Sequence, residues 1–373
     1  MRSSGTARNC TGFGSTATAW TIFIIGISKE VKRVSAWADR LRSAVGGKRE
    51  AASRQRPTAP FWVMVQKEFG EHIRSWRFII LLAIVTLACI GSIYTAVTAI
   101  KAGAAQADVD TRFLFLSMFT ISYGNFPNFL TFLSFLAPLI GIAIGFDSVN
   151  SERNKGTLSR VMSQPVHRDD FLNAKFVAGL LLIAVVIFSL GLLVMGMGLY
   201  TIGYPPTPEE FGRVVVTLLI TTVYVGLWLN LSLLFSVRFK QAATSALAGI
   251  ALWIFFLVFF SMIVDLIGNA TVPADVNNAA AVMSHANWMQ LLSRISPAEL
   301  FQEAASTLLL PDVRTLNPFI TQEQAYLAIS APLSFGQSVL LVWPHIVALI
   351  AETAVIFAAS YVAFMRQEIR SRS

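Results

Sequence analysis

Charge is scarce in this 373-residue chain: Asp, Glu, Lys and Arg together make up 13% of it, against about 25% in a typical soluble domain. So few charges cannot clothe the surface of a water-soluble globule. Intrinsic disorder is excluded too, because it needs low hydrophobicity, whereas 55% of these residues are apolar and the mean hydropathy is +0.62. Cysteine is nearly missing. Cys10 and Cys89 are too few for a disulfide framework or a cysteine-based zinc site. The phosphate loop G-x-x-x-x-G-K-[ST] is absent, so the chain does not hydrolyse ATP by that route. His-Glu-x-x-His and nucleophile-elbow motifs are absent as well, which leaves catalysis on this chain without sequence support.

What is abundant is long apolar sequence. A bilayer core of roughly 30 Å takes about 20 apolar residues as a helix. Six stretches meet or approach that length: Phe78–Ile100, Phe129–Phe146, Phe176–Ile202, Val214–Val237, Ala243–Gly268 and Val339–Phe364. Pro138 in the second is compatible with a span, since neighbouring helices can satisfy the freed carbonyl. The expected fold is an all-α polytopic membrane protein with six transmembrane helices.

The net charge of +8 and pI of 9.7 would point to nucleic acid in a soluble protein. Here they report topology. If the N-terminus lies inside, the inside segments carry 24 of the 29 Lys and Arg residues and a net +14, against −4 outside. Both termini are therefore expected to be cytoplasmic, in a multi-pass protein of the cell membrane that binds no nucleic acid.

Before the first span, residues 1–57 are rich in Ser, Ala, Gly and Arg and read as a disordered basic arm. Their apolar run Trp20–Ile27 is too short to span and reads as part of that tail, although a signal peptide is the alternative. Residues 60–77 differ. Trp62, Val65, Phe69, Ile73 and Trp76 recur at helical spacing, with Gln66, Lys67, Glu71, Arg74 and Ser75 on the other side. That stripe predicts an amphipathic interfacial helix leading into the first span.

Residues 269–337, between the fifth and sixth spans, are expected to form a small helical extracytoplasmic cap. Ser296-Pro297-Ala298-Glu299 carries a helix-start signature, and that helix should stop at Pro311. A second short helix is expected over Asn287–Ile295. Asn269-Ala270-Thr271 matches a glycosylation sequon, a weak signal alone.

The segment Asp147–Lys175 joins the second and third spans. Gly156 permits a sharp reversal and Thr157 can cap a short helix. Leu158, Val161 and Met162 then share one apolar face, and Pro165 stops the helix. Such a face invites either a protein partner or packing against the chain's own interfacial helix. Residue types alone leave both open.

Glu152-Arg153-Asn154-Lys155-Gly156-Thr157-Leu158, then Ser163-Gln164-Pro165-Val166-His167-Arg168 and Lys175, resemble the first cytoplasmic loop of ABC-2-type ABC-transporter permeases. The nearest group is the one tied to multicopper-enzyme and nitrous-oxide-reductase maturation. The likeness also covers Gln66–Phe69, Arg74–Phe78, Ile295–Phe301 and Phe364–Arg370, hence essentially Pro60–Arg370. It implies that the loop is a coupling helix, with Glu152, Gly156, Thr157, Leu158, Ser163 and Pro165 docking on a cytoplasmic ATP-binding subunit. It further implies a second permease copy, and ATP and Mg held by the partner subunit with no cofactor on this chain. The chain would then be the permease of an ATP-driven exporter, not itself an enzyme. Two alternatives are a non-transporting membrane anchor of an envelope machine and an ion-coupled carrier.

Within the spans lie two acids, Asp265 and Glu352. Asp265 is near the outer end of its span and reads as structural. Glu352 is near the middle of the sixth span, where a charge is costly enough to demand a bundle interior, an interface or water. His345 lies seven residues earlier on the same face. The pair reads either as a polar path for substrate or ions, or as a protonated Glu352 held by a neighbouring helix or locally by Thr353 or Ser360. Met195 and Met197 point to different sides of a helix and do not read as a metal site.

Overall fold

A computed structural model of the protein describes residues 60–106, 113–121, 126–158, 168–272, 279–312 and 332–366. Among these residues all regular structure is helical. The basic arm lies outside them, as do Val161, Met162, Ser163 and Pro165.

Six helices are long and apolar enough to cross a membrane: Trp76–Ala102, Phe129–Asn154, Arg168–Ile202, Pro208–Arg238, Ala242–Ala270 and Phe335–Met365. This is a multi-pass membrane protein. A leading helix, Pro60–Ile73, precedes the first span. The chain turns at Arg74 and Ser75, and the Ser75 hydroxyl accepts the Phe78 amide at 3.3 Å, capping the new helix. The leading helix does not float free of the bundle. Val65 packs against Ala174 and Ala178 of the third span, while Trp62 and Ile73 stay exposed.

The fourth span is the axis of the bundle. In its most apolar stretch 72% of residues are buried, against 17% in the fifth and sixth spans. It starts with a capping box between Thr207 and Glu210, with Pro208 in the first turn. Span ends meet in two groups. Arg77 pairs with Asp147, Ser236 holds Val149, and Phe171 stacks on Phe364, so these ends share one face with the two chain ends of the bundle. We call it the termini face. The opposite, cap face carries the helices Leu114–Thr120, Ala279–Ser293 and Pro297–Leu309.

Two of these lie between the fifth and sixth spans. Pro297–Leu309 begins after Ser296 and ends just before Pro311, while Ala279–Ser293 starts eight residues earlier than the sequence indicated. The Ser296 hydroxyl makes no capping bond. Pro297–Leu309 is no detached lid. Phe301, Ala304, Ala305 and Leu308 are fully buried in the main core, and Phe301 stacks on Tyr224 with 4.6 Å between ring centroids.

The second and fourth spans touch backbone to backbone through Gly141-x-x-x-Gly145. A methyl group added at Gly141 would sit 2.6 Å from the Val225 carbonyl oxygen and 2.8 Å from the Leu229 nitrogen. Small residues at this spacing let helices approach closely where no water drives them together. Gly141→Val is therefore expected to lower stability by about 1–3 kcal/mol, the usual range for overpacking. Thermal unfolding in detergent checks it. Gly70→Ala is the control, since nothing lies within 4 Å of the added methyl, and it should leave the midpoint unchanged or higher.

Candidate functional site at the termini face

The segment after the second span is rooted by backbone contacts. The Ser236 hydroxyl accepts the amides of Val149 at 2.9 Å and Asn150 at 3.2 Å. A short helix, Asn150–Asn154, follows. Asn154 donates to the Lys240 carbonyl at 3.0 Å, so the segment is tied to the end of the fourth span and to the turn that follows it. Gly156 then reverses the chain with φ +69, a conformation that L side chains rarely adopt.

At the centre is Lys175, two turns into the third span with its side chain 2% exposed. Its ammonium bonds Glu68 of the leading helix and Glu152 of the loop, each at 2.8 Å, and lies 4.9 Å from the Phe171 ring. Three separate parts of the chain thus converge on one cation. Burial alone would raise the Glu68 carboxyl, but the charge and hydrogen bond of Lys175 hold it below the ordinary carboxylate range. His72, one turn on, is pushed down by burial, against the pull of Glu68.

The predicted docking residues divide. Glu152 is in the ion pair, Gly156 is exposed, and the Thr157 hydroxyl bonds back to the Glu152 carbonyl at 3.2 Å. Leu158 is 3% exposed and packs among Val149, Phe171, Leu172, Val237 and Phe364. Its apolar side is satisfied by this chain, through the ends of the third, fourth and sixth spans. Ser163 and Pro165 lie outside the described residues.

His345 and Glu352 are not brought together by any direct contact. His345 Nε2 meets Glu303 of the cap at 2.6 Å, and Glu303 also takes a hydrogen bond from Arg294 at 2.8 Å. Glu352 keeps one buried carboxylate oxygen with no partner among the described residues. The nearby hydroxyls are spent within the helix, Thr353 on Leu349 and Ser360 on Ile356. Asn230, fully buried in the fourth span, donates to the Thr353 carbonyl at 2.8 Å and leaves its own oxygen bare. Met195 is buried and Met197 exposed, on different sides of their helix. Among the described residues no three His, Cys, Asp or Glu side chains are grouped to hold a metal ion.

Burial favours a neutral Glu303, yet His345 and Arg294 hold its carboxyl below the ordinary carboxylate range. A lowered carboxyl contributes stability that is complete above the unfolded value and lost as pH falls through the folded one. Wild type and Glu303→Gln should therefore differ most in unfolding midpoint at neutral pH. The difference should close on acidification below about pH 4.5.

The sequence reading missed two knots. In the sequence Lys175 stands out only as part of a motif, although a lysine at the mouth of a charge-free run is itself a signal for a buried partner. Arg213 stands one residue before Val214–Val237, the apolar run of the fourth span. It lies within that helix and is fully buried, donating to Glu209, the Leu308 and Leu333 carbonyls and the Ser338 hydroxyl. The capping signature at Thr207–Glu210 marks the earlier helix start that would have enclosed it.

Known proteins carry the same pattern. A stretch of 135 residues is 30% identical to a probable ABC transporter permease protein, NosY, of Stutzerimonas stutzeri. It covers 35% of this chain and 46% of that protein, so the match spans just under half of the relative's length. Residues 62–369, nearly the whole described bundle, match the ABC-2 family transporter protein model. With six spans and this match along them, the chain belongs to the ABC-2 family of transporter proteins.

Proposed function

We propose that the protein is the permease subunit of an ATP-driven exporter, in the cell membrane with both termini cytoplasmic. A separate ATP-binding subunit docks on the termini face through the 147–175 segment, and holds the ATP and Mg whose turnover drives transport. A second permease copy completes the pathway. The observation that carries this reading is the Lys175 knot. A push on Glu152 from below is passed by one buried cation to the third span and the leading helix together, in place of being absorbed by a slack loop.

In this reading Leu158 anchors the segment, and the docking contacts fall to the exposed turn at Gly156 and to Ser163 and Pro165 beyond it. Glu352, with its bare oxygen, is the intramembrane group we assign to the substrate's path, one residue before the Thr353 carbonyl that Asn230 bonds. His345 serves the cap through Glu303. The test is gentle purification of the tagged full chain from its own membrane. A subunit with a phosphate loop should co-purify in constant ratio. Its repeated absence, together with unaided transport by the chain alone, would overturn the proposal.

A further inference from the structure

A cleft of 650 Å³ opens on the termini face between the leading helix, the start of the first span and the loop. That size is typical of small-ligand sites, which run from about 300 to 1,000 Å³. Its walls are incompletely satisfied. His72 Nε2 and Glu152 Oε2 both belong to lining residues, and neither buried atom has a hydrogen-bond partner among the described residues. Buried polar atoms are almost always paired, with protein, water or ligand.

The lining charges are sorted in the same way. Lys67, Arg77 and Lys175 each face a carboxylate. Arg74 and Lys155 are exposed and have no carboxylate partner among the described residues, so two cations remain for a ligand. The level is set by Trp76, which lines the cleft at the first residue of the first span and is 76% exposed. Aromatic side chains at such a boundary lie at headgroup depth.

We propose that this cleft binds the headgroup of an aminophospholipid from the adjoining leaflet. The phosphate lies between Arg74 and Lys155, and the ammonium donates to Glu152 Oε2. A glycerol headgroup offers the Glu152 oxygen only neutral hydroxyls, which bind a carboxylate more weakly than an ammonium does. A quaternary ammonium has no N–H to give it. Burial keeps His72 from charging, so the imidazole does not repel the ammonium. Occupancy then links the leading helix to the loop root, beside the Lys175 knot. None of this requires the ATPase docking proposed above, so the two stand or fall separately.

The experiment uses the purified full chain, stripped of lipid in detergent. It is titrated with phosphatidylethanolamine, phosphatidylcholine and phosphatidylglycerol of identical acyl chains, and bound lipid is counted by native mass spectrometry. One phosphatidylethanolamine should bind about tenfold more tightly than the other two, as expected for charge-assisted hydrogen bonds. The double variant Arg74→Ala/Lys155→Ala should weaken it by a similar factor, roughly tenfold. Glu152→Gln also weakens the Lys175 pair and should lower the unfolding midpoint, so its effect is read as the ratio of phosphatidylethanolamine to phosphatidylcholine affinity within the folded variant, which should fall to about one. Glycerophosphoethanolamine should compete, and inorganic phosphate should compete less well. Equal affinity for the three lipids, an unchanged double variant, or phosphate matching glycerophosphoethanolamine would each overturn the proposal.

Discussion

Lys175→Ala is expected to destabilise the protein by about 3–5 kcal/mol, the usual result of removing one side of a buried ion pair. The reason is what it leaves behind. Glu68 and Glu152 are 9% and 12% exposed and would face each other without a counter-charge. Thermal unfolding in detergent gives the loss. A triple variant separates charge from packing. Lys175→Met with Glu68→Gln and Glu152→Gln leaves no bare charge, so most of the stability should return. The nucleotide turnover of a bound partner should still respond poorly, since the three elements are no longer tied. The pH dependence has a defined sign. The Glu68 carboxyl is held below 4.5 in the folded protein, so its contribution is complete above that value and lost as pH falls. Lys175→Ala should flatten that part of the profile.

Arg213 predicts an effect of similar size on the other face. Its guanidinium joins the fourth span to Glu209, to the end of helix Pro297–Leu309 through the Leu308 carbonyl, and to the approach and start of the sixth span through Leu333 and Ser338. Arg213→Ala strips two buried carbonyls and a hydroxyl of their donor, with an expected loss of about 3–5 kcal/mol. Arg213→Lys keeps the charge but not the planar fork, and should recover only part. Limited proteolysis is the sharper readout. Wild type should resist cutting near Ser293–Pro297, and Arg213→Ala should be cut there while the spans remain intact.

Much of the architecture is legible in the sequence because a bilayer imposes a local rule. A run of about 20 apolar residues must be a helix, whatever lies beside it. That rule yields the six spans, and the Ser-Pro-Ala-Glu signature marks the start of the buried cap helix. The knots obey no local rule. Lys175 and Glu68 are 107 residues apart, and Arg213 and Ser338 are 125 apart. Nothing in the neighbourhood of either residue names its partner. Leu158 shows the same limit in apolar form. Its spacing with Val161 and Met162 reveals an apolar face, but only the packed ends of three spans reveal that this chain covers Leu158 itself. Gly141-x-x-x-Gly145 stood in plain sight, but only its distance to the fourth span shows that it is a helix contact.

The central claim is that the 147–175 segment is where an ATP-binding partner pushes on the bundle. A photo-crosslinker at Ser163 in the full chain, activated in native membranes, tests it most directly. An adduct with a subunit that carries a phosphate loop is expected, with a yield that changes when ATP is trapped in that subunit. Adducts confined to this chain or to lipid, unaffected by nucleotide, would contradict it.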